Sequence, residues 1–285
     1  MLSEASLLLA VLLLGTNFVA VKIIVSDVPP LPFVAMRFTL AGLLLLIFAH
    51  LLESGGRVGR RDLLAMAGVG LVGVGMNNGF FTIGIGLTSA SETALIYATP
   101  PLWGMLLGFM LGFERPRPRG IVGVLLALLG VFVVVYEGLG EGRTSLTGDL
   151  LIVGGAACWG SYAVLALPLL RRYSPLVVAA YTMLFGGLGA VPLALPGFSG
   201  ADWGAVDVRT WAAMAYATLL VAAFGFYAWQ RGVSRVGANR VLVYQYLITV
   251  VGVTSGVVLL GEDLTFNKVL GGVIILLGVY LARRQ

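Results

Sequence analysis

Long apolar runs follow one another from end to end of the chain, with only short polar interruptions. A run of about 20 apolar residues crosses the hydrocarbon core of a bilayer as an α-helix, whereas a membrane barrel shows alternating segments of about ten residues. Soluble domains carry about a quarter charged residues. Here 11% are charged and 59% hydrophobic, and the mean hydropathy is +1.00. An all-α integral membrane protein follows. The 40 glycines fall inside the apolar runs, where small residues let membrane helices approach closely. A single cysteine, Cys158, excludes an internal disulfide framework. A single histidine, His50, leaves little for zinc or a nucleophile–base pair. No metal or other cofactor is implied.

Turn signals and charges divide the chain into ten segments, near 5–25, 31–51, 63–85, 90–111, 119–136, 149–169, 175–196, 210–231, 238–259 and 268–283. No soluble domain fits between them. The first run lacks a basic leader and a small-residue cleavage site, so it reads as a mature helix. Cytoplasmic loops carry an excess of lysine and arginine. With the N-terminus inside, the inner segments hold twelve: Arg57, Arg60, Arg61, Arg115, Arg117, Arg119, Arg171, Arg172, Arg231, Arg235, Arg283 and Arg284. The outer loops hold three, Arg143, Arg209 and Lys268, while Lys22, Arg37 and Arg240 lie within spans. Both termini are therefore expected in the cytoplasm, with the chain multi-pass in the inner membrane. The sequence pI near 9.6 reports this orientation and not a nucleic-acid partner.

The chain also repeats itself at an offset of 148. "MAGVGLVGV" at 66–74 lies over "MAYATLLVA" at 214–222, and Glu114 lies over Glu262. "GVLLALLGVF" at 123–132 lies over "GGVIILLGVY" at 271–280. Gly123, Leu128, Leu129, Gly130 and Val131 are identical to Gly271, Leu276, Leu277, Gly278 and Val279. Each half, 1–138 and 147–285, then has five spans. Five is odd, so the second half enters from the opposite face, giving an inverted-topology repeat of the kind found in secondary transporters.

Met36-Arg37-Phe38, then "LTSASETALIYATPPLW", Gly112-Phe113-Glu114 and Gly123 to Val131 follow in that order. Gly261-Glu262 and Gly271 to Val279 repeat the pattern. With these motifs the chain resembles the ten-helix EamA-type branch of the drug/metabolite transporter superfamily over essentially its whole length. The resemblance implies export or exchange of small metabolites, often amino acids and related compounds, by alternating access, with proton coupling in many members. It names no substrate. The chain departs from the pattern once. The family usually has a proline at the centre of the ninth helix as well as the fourth, and here the positions over Pro100 and Pro101 are Ile248 and Thr249.

Pro100 and Pro101 sit in the middle of the apolar stretch "ALIYATPPLWGMLLGF", 94–109. Each removes a helix N–H, so the carbonyls of Ile96 and Tyr97 lose their usual partners. Unpaired backbone at that depth survives only against protein or a water-filled cavity. Thr99 is placed to cap a new half-helix with Pro100 at its first position, and that N-terminus favours a carboxylate. Two readings stand, a substrate site at the break or a passive kink healed by neighbours. Tyr97, Pro101, Gly104 and Gly108 form one helical stripe, matched at the offset by Gln245, Thr249, Gly252 and Gly256. The glycines suit close packing. Buried Tyr97 and Gln245 need partners and suit a cavity.

Polar and aromatic residues at similar depth in other spans are candidates for the same site: Thr16 and Asn17, Asn77 and Asn78, Trp103, Trp159 and Tyr162, and Tyr244. Adjacent asparagines point to different sides, so at most one of Asn77 and Asn78 is expected to face a pathway. Arg37, Lys22 and Glu92 share the outer third, where membrane charges usually pair, and Arg37 with Glu92 is the economical structural or gating pair. Lys22 is free to snorkel, and Ser89-x-x-Glu92 also reads as a capping box. Glu114 and Glu262, at span ends, suit caps or arginine pairs.

The function these features support is a secondary transporter, an exporter by preference, of small metabolites with amino acids favoured. A carrier of drug-like or nucleotide-type solutes is the alternative. An intramembrane enzyme lacks support, since His50 lies at a span end and no pair of central aspartates exists. The partners expected are a small-molecule substrate and the bilayer. Oligomeric state is not legible.

Overall fold

The computed structural model describes residues 2–53, 58–111, 118–141, 146–236 and 238–283. Glu114, with Gly112, Phe113, Arg115 and Arg117, lies outside them, as do Arg57, Arg143 and Arg284 and the side chains of Arg235, Arg240 and Arg283. The described residues are helical with short connections. In chain order they form α1 (Leu2–Asp27), α2 (Pro30–Leu52), α3 (Arg60–Leu87), α4, α5 (Pro118–Glu141), α6 (Leu146–Leu170), α7 (Pro175–Gly200), α8 (208–236), α9 (Ala238–Leu260) and α10 (Phe266–Arg283). Helix α4 is two pieces, α4a (Ala90–Ile96) and α4b (Pro100–Met110). Among the described residues, eight stretches are long and apolar enough to cross a membrane, and Tyr244–Leu260 and Phe266–Leu281 are shorter apolar helices.

Local chemistry sets the starts. Proline, pre-set for the first helical turn, opens α2 and α7. Ser174 caps α7 by accepting from Val177 N, and Ser89 caps α4a by accepting from Glu92 N. Two stretches wind as π-helix, Leu71–Met76 inside α3 and Tyr216–Gly225 inside α8.

Glycines then fix which helices meet. Helix α2 packs on α7, where Gly42 faces the backbone of Leu184, and α5 packs on α10, where Gly130, Gly271 and Gly278 each face partner backbone. Helices α5 and α10 show leucines and valines outward, as peripheral supports facing lipid would. Helix α1 packs along α9, and α3 along α6. Helix α4 changes neighbour at its break, since α4a lies against α9 and α4b against α6. A Cβ on Gly252 would meet Ala94 Cβ at 2.8 Å, and one on Gly160 would meet the Pro100 carbonyl oxygen at 2.1 Å. Both contacts of α4 therefore depend on glycine.

Candidate functional site

The break is a short run of tight turns. Ala98 N and Thr99 N bond the carbonyls three residues back, as in a 3₁₀-helix. Both carbonyls orphaned by the prolines are satisfied. Ile96 O accepts from Thr99 N at 3.0 Å and from the Thr99 hydroxyl at 2.7 Å. Tyr97 O accepts from Gln245 Nε2 at 2.9 Å, a bond across exactly the 148-residue offset. Thr99 is thus not the side-chain N-cap of α4b, because its hydroxyl turns back to Ile96.

Around Tyr97 lies a cavity of about 60 Å³, room for a few waters. It is lined by Asn17, Arg37, Asn77, Asn78, Tyr97, Trp159 and Gln245, with Leu14, Phe18, Phe81, Phe226 and Ile248 as apolar wall. Both asparagines line it, against the expectation of one. Successive helix residues are only about 100° apart, and the pair is locked together. Asn78 Nδ2 donates to Asn77 Oδ1 (2.9 Å), while Asn77 Nδ2 donates to Tyr97 Oη (2.9 Å) and Gly155 O (2.8 Å). Phe18, Phe81 and Tyr97 pack edge to face, with centroids 5.1–6.0 Å apart. Trp159 meets Phe226 edge to face and stacks on Tyr162.

The other expected residues sit outside this lining. Thr16 pairs with the Tyr216 hydroxyl at 2.6 Å. Trp103 Nε1 donates to Thr99 Oγ1, and Pro100 is buried against α6. Tyr162, one layer below Trp159, bonds Thr182 and Gln230. Tyr244 packs at the edge of the core. The half-helix N-terminus therefore does not face the cavity. Phe18, Phe81 and Phe226 were not singled out from sequence, being apolar in an apolar chain. The usable signal was spacing, since Phe81 is four residues after Asn77 and Phe226 four before Gln230.

The expected pair of Arg37 with Glu92 does not form. Arg37 is fully buried and spends Nε on Ala217 O in the π-helical stretch and Nη2 on Asn17 Oδ1, each at 3.0 Å. Glu92 accepts from Thr88 Oγ1 at 2.6 Å and pairs with Lys268 Nζ at 3.3 Å. A nearer lysine and a nearer hydroxyl take the carboxylate. Lys22 does not snorkel, because its ammonium caps the C-terminal carbonyls of α3 through Ile85 O and Thr88 O. The capping box is half made, with Ser89 capping but Glu92 turned elsewhere. Glu262 takes two other first-turn donors, its oxygens accepting from Ala90 N (2.7 Å) and Ser91 N (2.8 Å).

A small cavity at a helix break, walled by aromatics and carrying amides and one cation, suits a solute pathway. The chain belongs to the EamA-like transporter family, whose profile matches residues 1–136 and 146–284. An uncharacterized transporter of Bacillus subtilis is 26% identical over 94% of this chain and 89% of its own length. A Salmonella typhimurium protein named a probable amino-acid metabolite efflux pump is 25% identical over 96% of this chain and 92% of its own length. A Streptantibioticus cattleyicolor protein named a probable terminal-alkyne amino-acid exporter is 30% identical over 79% of this chain and 74% of its own length. One crystal structure shares the fold at a TM-score of 0.65 and 21% identity, covering 98% of this chain and 96% of that one. Family and relatives are named as transporters, and this chain is a multi-pass membrane protein of that family.

Proposed function

We propose that the chain is an inner-membrane exporter of small metabolites, amino acids and related compounds by preference, working by alternating access. The carrying observation is the cavity at the α4 break, which takes Leu14 to Tyr97 from one half of the chain and Trp159 to Ile248 from the other. Transporters bind substrate near the midplane, between repeats and beside discontinuous helices. The two halves are read as five-span inverted repeats, ten spans in all, with both termini in the cytoplasm. Three features support this. The family profile meets the chain in two stretches. Helix α1 packs on α9 as α6 packs on α4b, its counterpart at the offset. Adding 148 to the π-helical Leu71–Met76 gives 219–224, inside the π-helical Tyr216–Gly225.

The cavity is small, about 60 Å³, and we read this conformation as one in which the pathway is contracted. The test is counterflow in proteoliposomes with a panel of labelled amino acids, peptides and nucleosides. Uptake of at least one amino acid above protein-free vesicles is expected. Uptake confined to another class would replace the substrate, and no uptake of any class would remove the transport reading.

A further inference from the structure

Among the described residues, Arg37 is the one cation in the cavity lining, and the lining holds no acid. The residue is 1% exposed. Its contacts are all neutral: Ala217 O, Asn17 Oδ1, and the ring faces of Phe33 and Phe38, 5.6 Å and 5.0 Å from the guanidinium carbon. Nη1 is buried and has no hydrogen-bond partner among the described residues. Among the described residues, the carboxylate that shares its depth in sequence, Glu92, is occupied by Thr88 and Lys268.

A buried charge without a counter-ion is costly in protein and more so in a membrane, where such residues pair or mark a substrate path. A guanidinium is a planar fork that takes a carboxylate through two parallel N–H groups. Here Nε is fixed by α8 and Nη2 by α1, which leaves Nη1 unused by the described residues, and Arg37 borders the cavity. Asn17 gives its oxygen to Arg37, so its amide N–H groups remain as donors beside the guanidinium. Asn78 and Gln245, also in the lining, offer neutral amide oxygens, because both amides spend their nitrogens on protein oxygens. The walls are Phe18, Phe81, Trp159 and Phe226.

Resting on the transport reading above, we propose that Arg37, assisted by Asn17, is the anchor for a single carboxylate on the substrate, whose apolar body lies against the aromatic walls. One guanidinium balances one negative charge, so monocarboxylates and zwitterionic amino acids fit, whereas cations and dianions do not. The anion is held by Arg37 and Asn17 and not by the α4b N-terminus, which lies outside the lining. An ammonium on the substrate would meet the amide oxygens of Asn78 and Gln245.

The test uses acid and amide pairs of equal size, glycine with glycinamide, leucine with leucinamide and phenylalanine with phenylalaninamide. Each competes against whichever labelled solute the wild-type protein moves in proteoliposomes. At least one acid should inhibit tenfold or more better than its amide. Arg37→Gln should bring that ratio within twofold, with Arg37→Lys retaining part of it. If Arg37→Gln does not fold, Asn17→Ala, which leaves the cation in place, should lower the ratio several-fold, and the wild-type ratio stands as a measurement by itself. Equal inhibition by acid and amide, preference for amides, or inhibition by neither while a labelled solute is moved would overturn the anchor and leave the transport reading standing. Movement of no solute at all would remove both.

Discussion

Helices α4 and α9 lie 148 residues apart, at matching places in the two halves proposed above, and only one of them is broken. Adding 148 to Pro100 and Pro101 gives Ile248 and Thr249, and α9 runs unbroken from Ala238 to Leu260. In α9 every residue of that turn keeps its N–H, and the Thr249 hydroxyl merely bonds back to Gln245 O at 3.3 Å. In α4 two N–H groups are missing, and the straight helix supplies the repair, since Gln245 of α9 fills the vacancy at Tyr97 O. The asymmetry has a structural consequence. Helix α4a seals against α9 through Gly252 and Gly256, with Glu262 capping its start. Helix α4b departs toward α6, where Gly104 and Gly160 allow backbone contact. One helix is a rod and the other has a joint, and the cavity lies at the joint.

The comparison breaks most severely if the departure of α4b is blocked. Gly160→Val places a side chain where the Pro100 carbonyl stands, 2.1 Å from the new Cβ. Overpacking against backbone should destabilise by about 3 kcal/mol, seen as a large fall in detergent thermal stability or loss of folded protein. Gly68→Val, where nothing lies within 4 Å, should stay within about 0.5 kcal/mol of the parent. A smaller effect separates the two helices directly. Gln245→Leu strands the buried Tyr97 carbonyl and should cost about 2 kcal/mol, as for an unsatisfied buried acceptor. Thr249→Val, one turn further on in the helix that needs no repair, should cost less than about 0.5 kcal/mol by the same thermal assay. Equal costs would mean that the Gln245 bond does no bracing.

Much of this was legible from sequence where the cause is local. Apolar length and proline positions marked the helices to within a few residues, as at α2 and α7, because chain-entry signals act on neighbours. Helical spacing and the offset placed Tyr97 and Gln245 at matching points of two glycine stripes, and both residues line the cavity. Partner choice was not, because it depends on distances between helices. Arg37 and Glu92 share a depth yet bond different helices, since Lys268 and Thr88 stand closer to the carboxylate. The π-helical stretches were also invisible, as nothing in "LVGVGM" or "YATLLVAAFG" differs in composition from ordinary membrane helix. They shape the site, with Asn77 directly after one and Ala217, the Arg37 acceptor, inside the other.

The most direct measurement is made on Pro100→Ala, Pro101→Ala. The restored N–H groups can bond Ile96 O and Tyr97 O within the helix, releasing Thr99 and Gln245 and straightening α4 like α9. Thermal stability should change little or rise, because alanine is the better helix former. Transport of the wild-type solute in proteoliposomes should fall at least about tenfold, equivalent to about 1.4 kcal/mol. A folded variant that transports at the parental rate would contradict the account, reducing the joint to a kink without a role in the pathway.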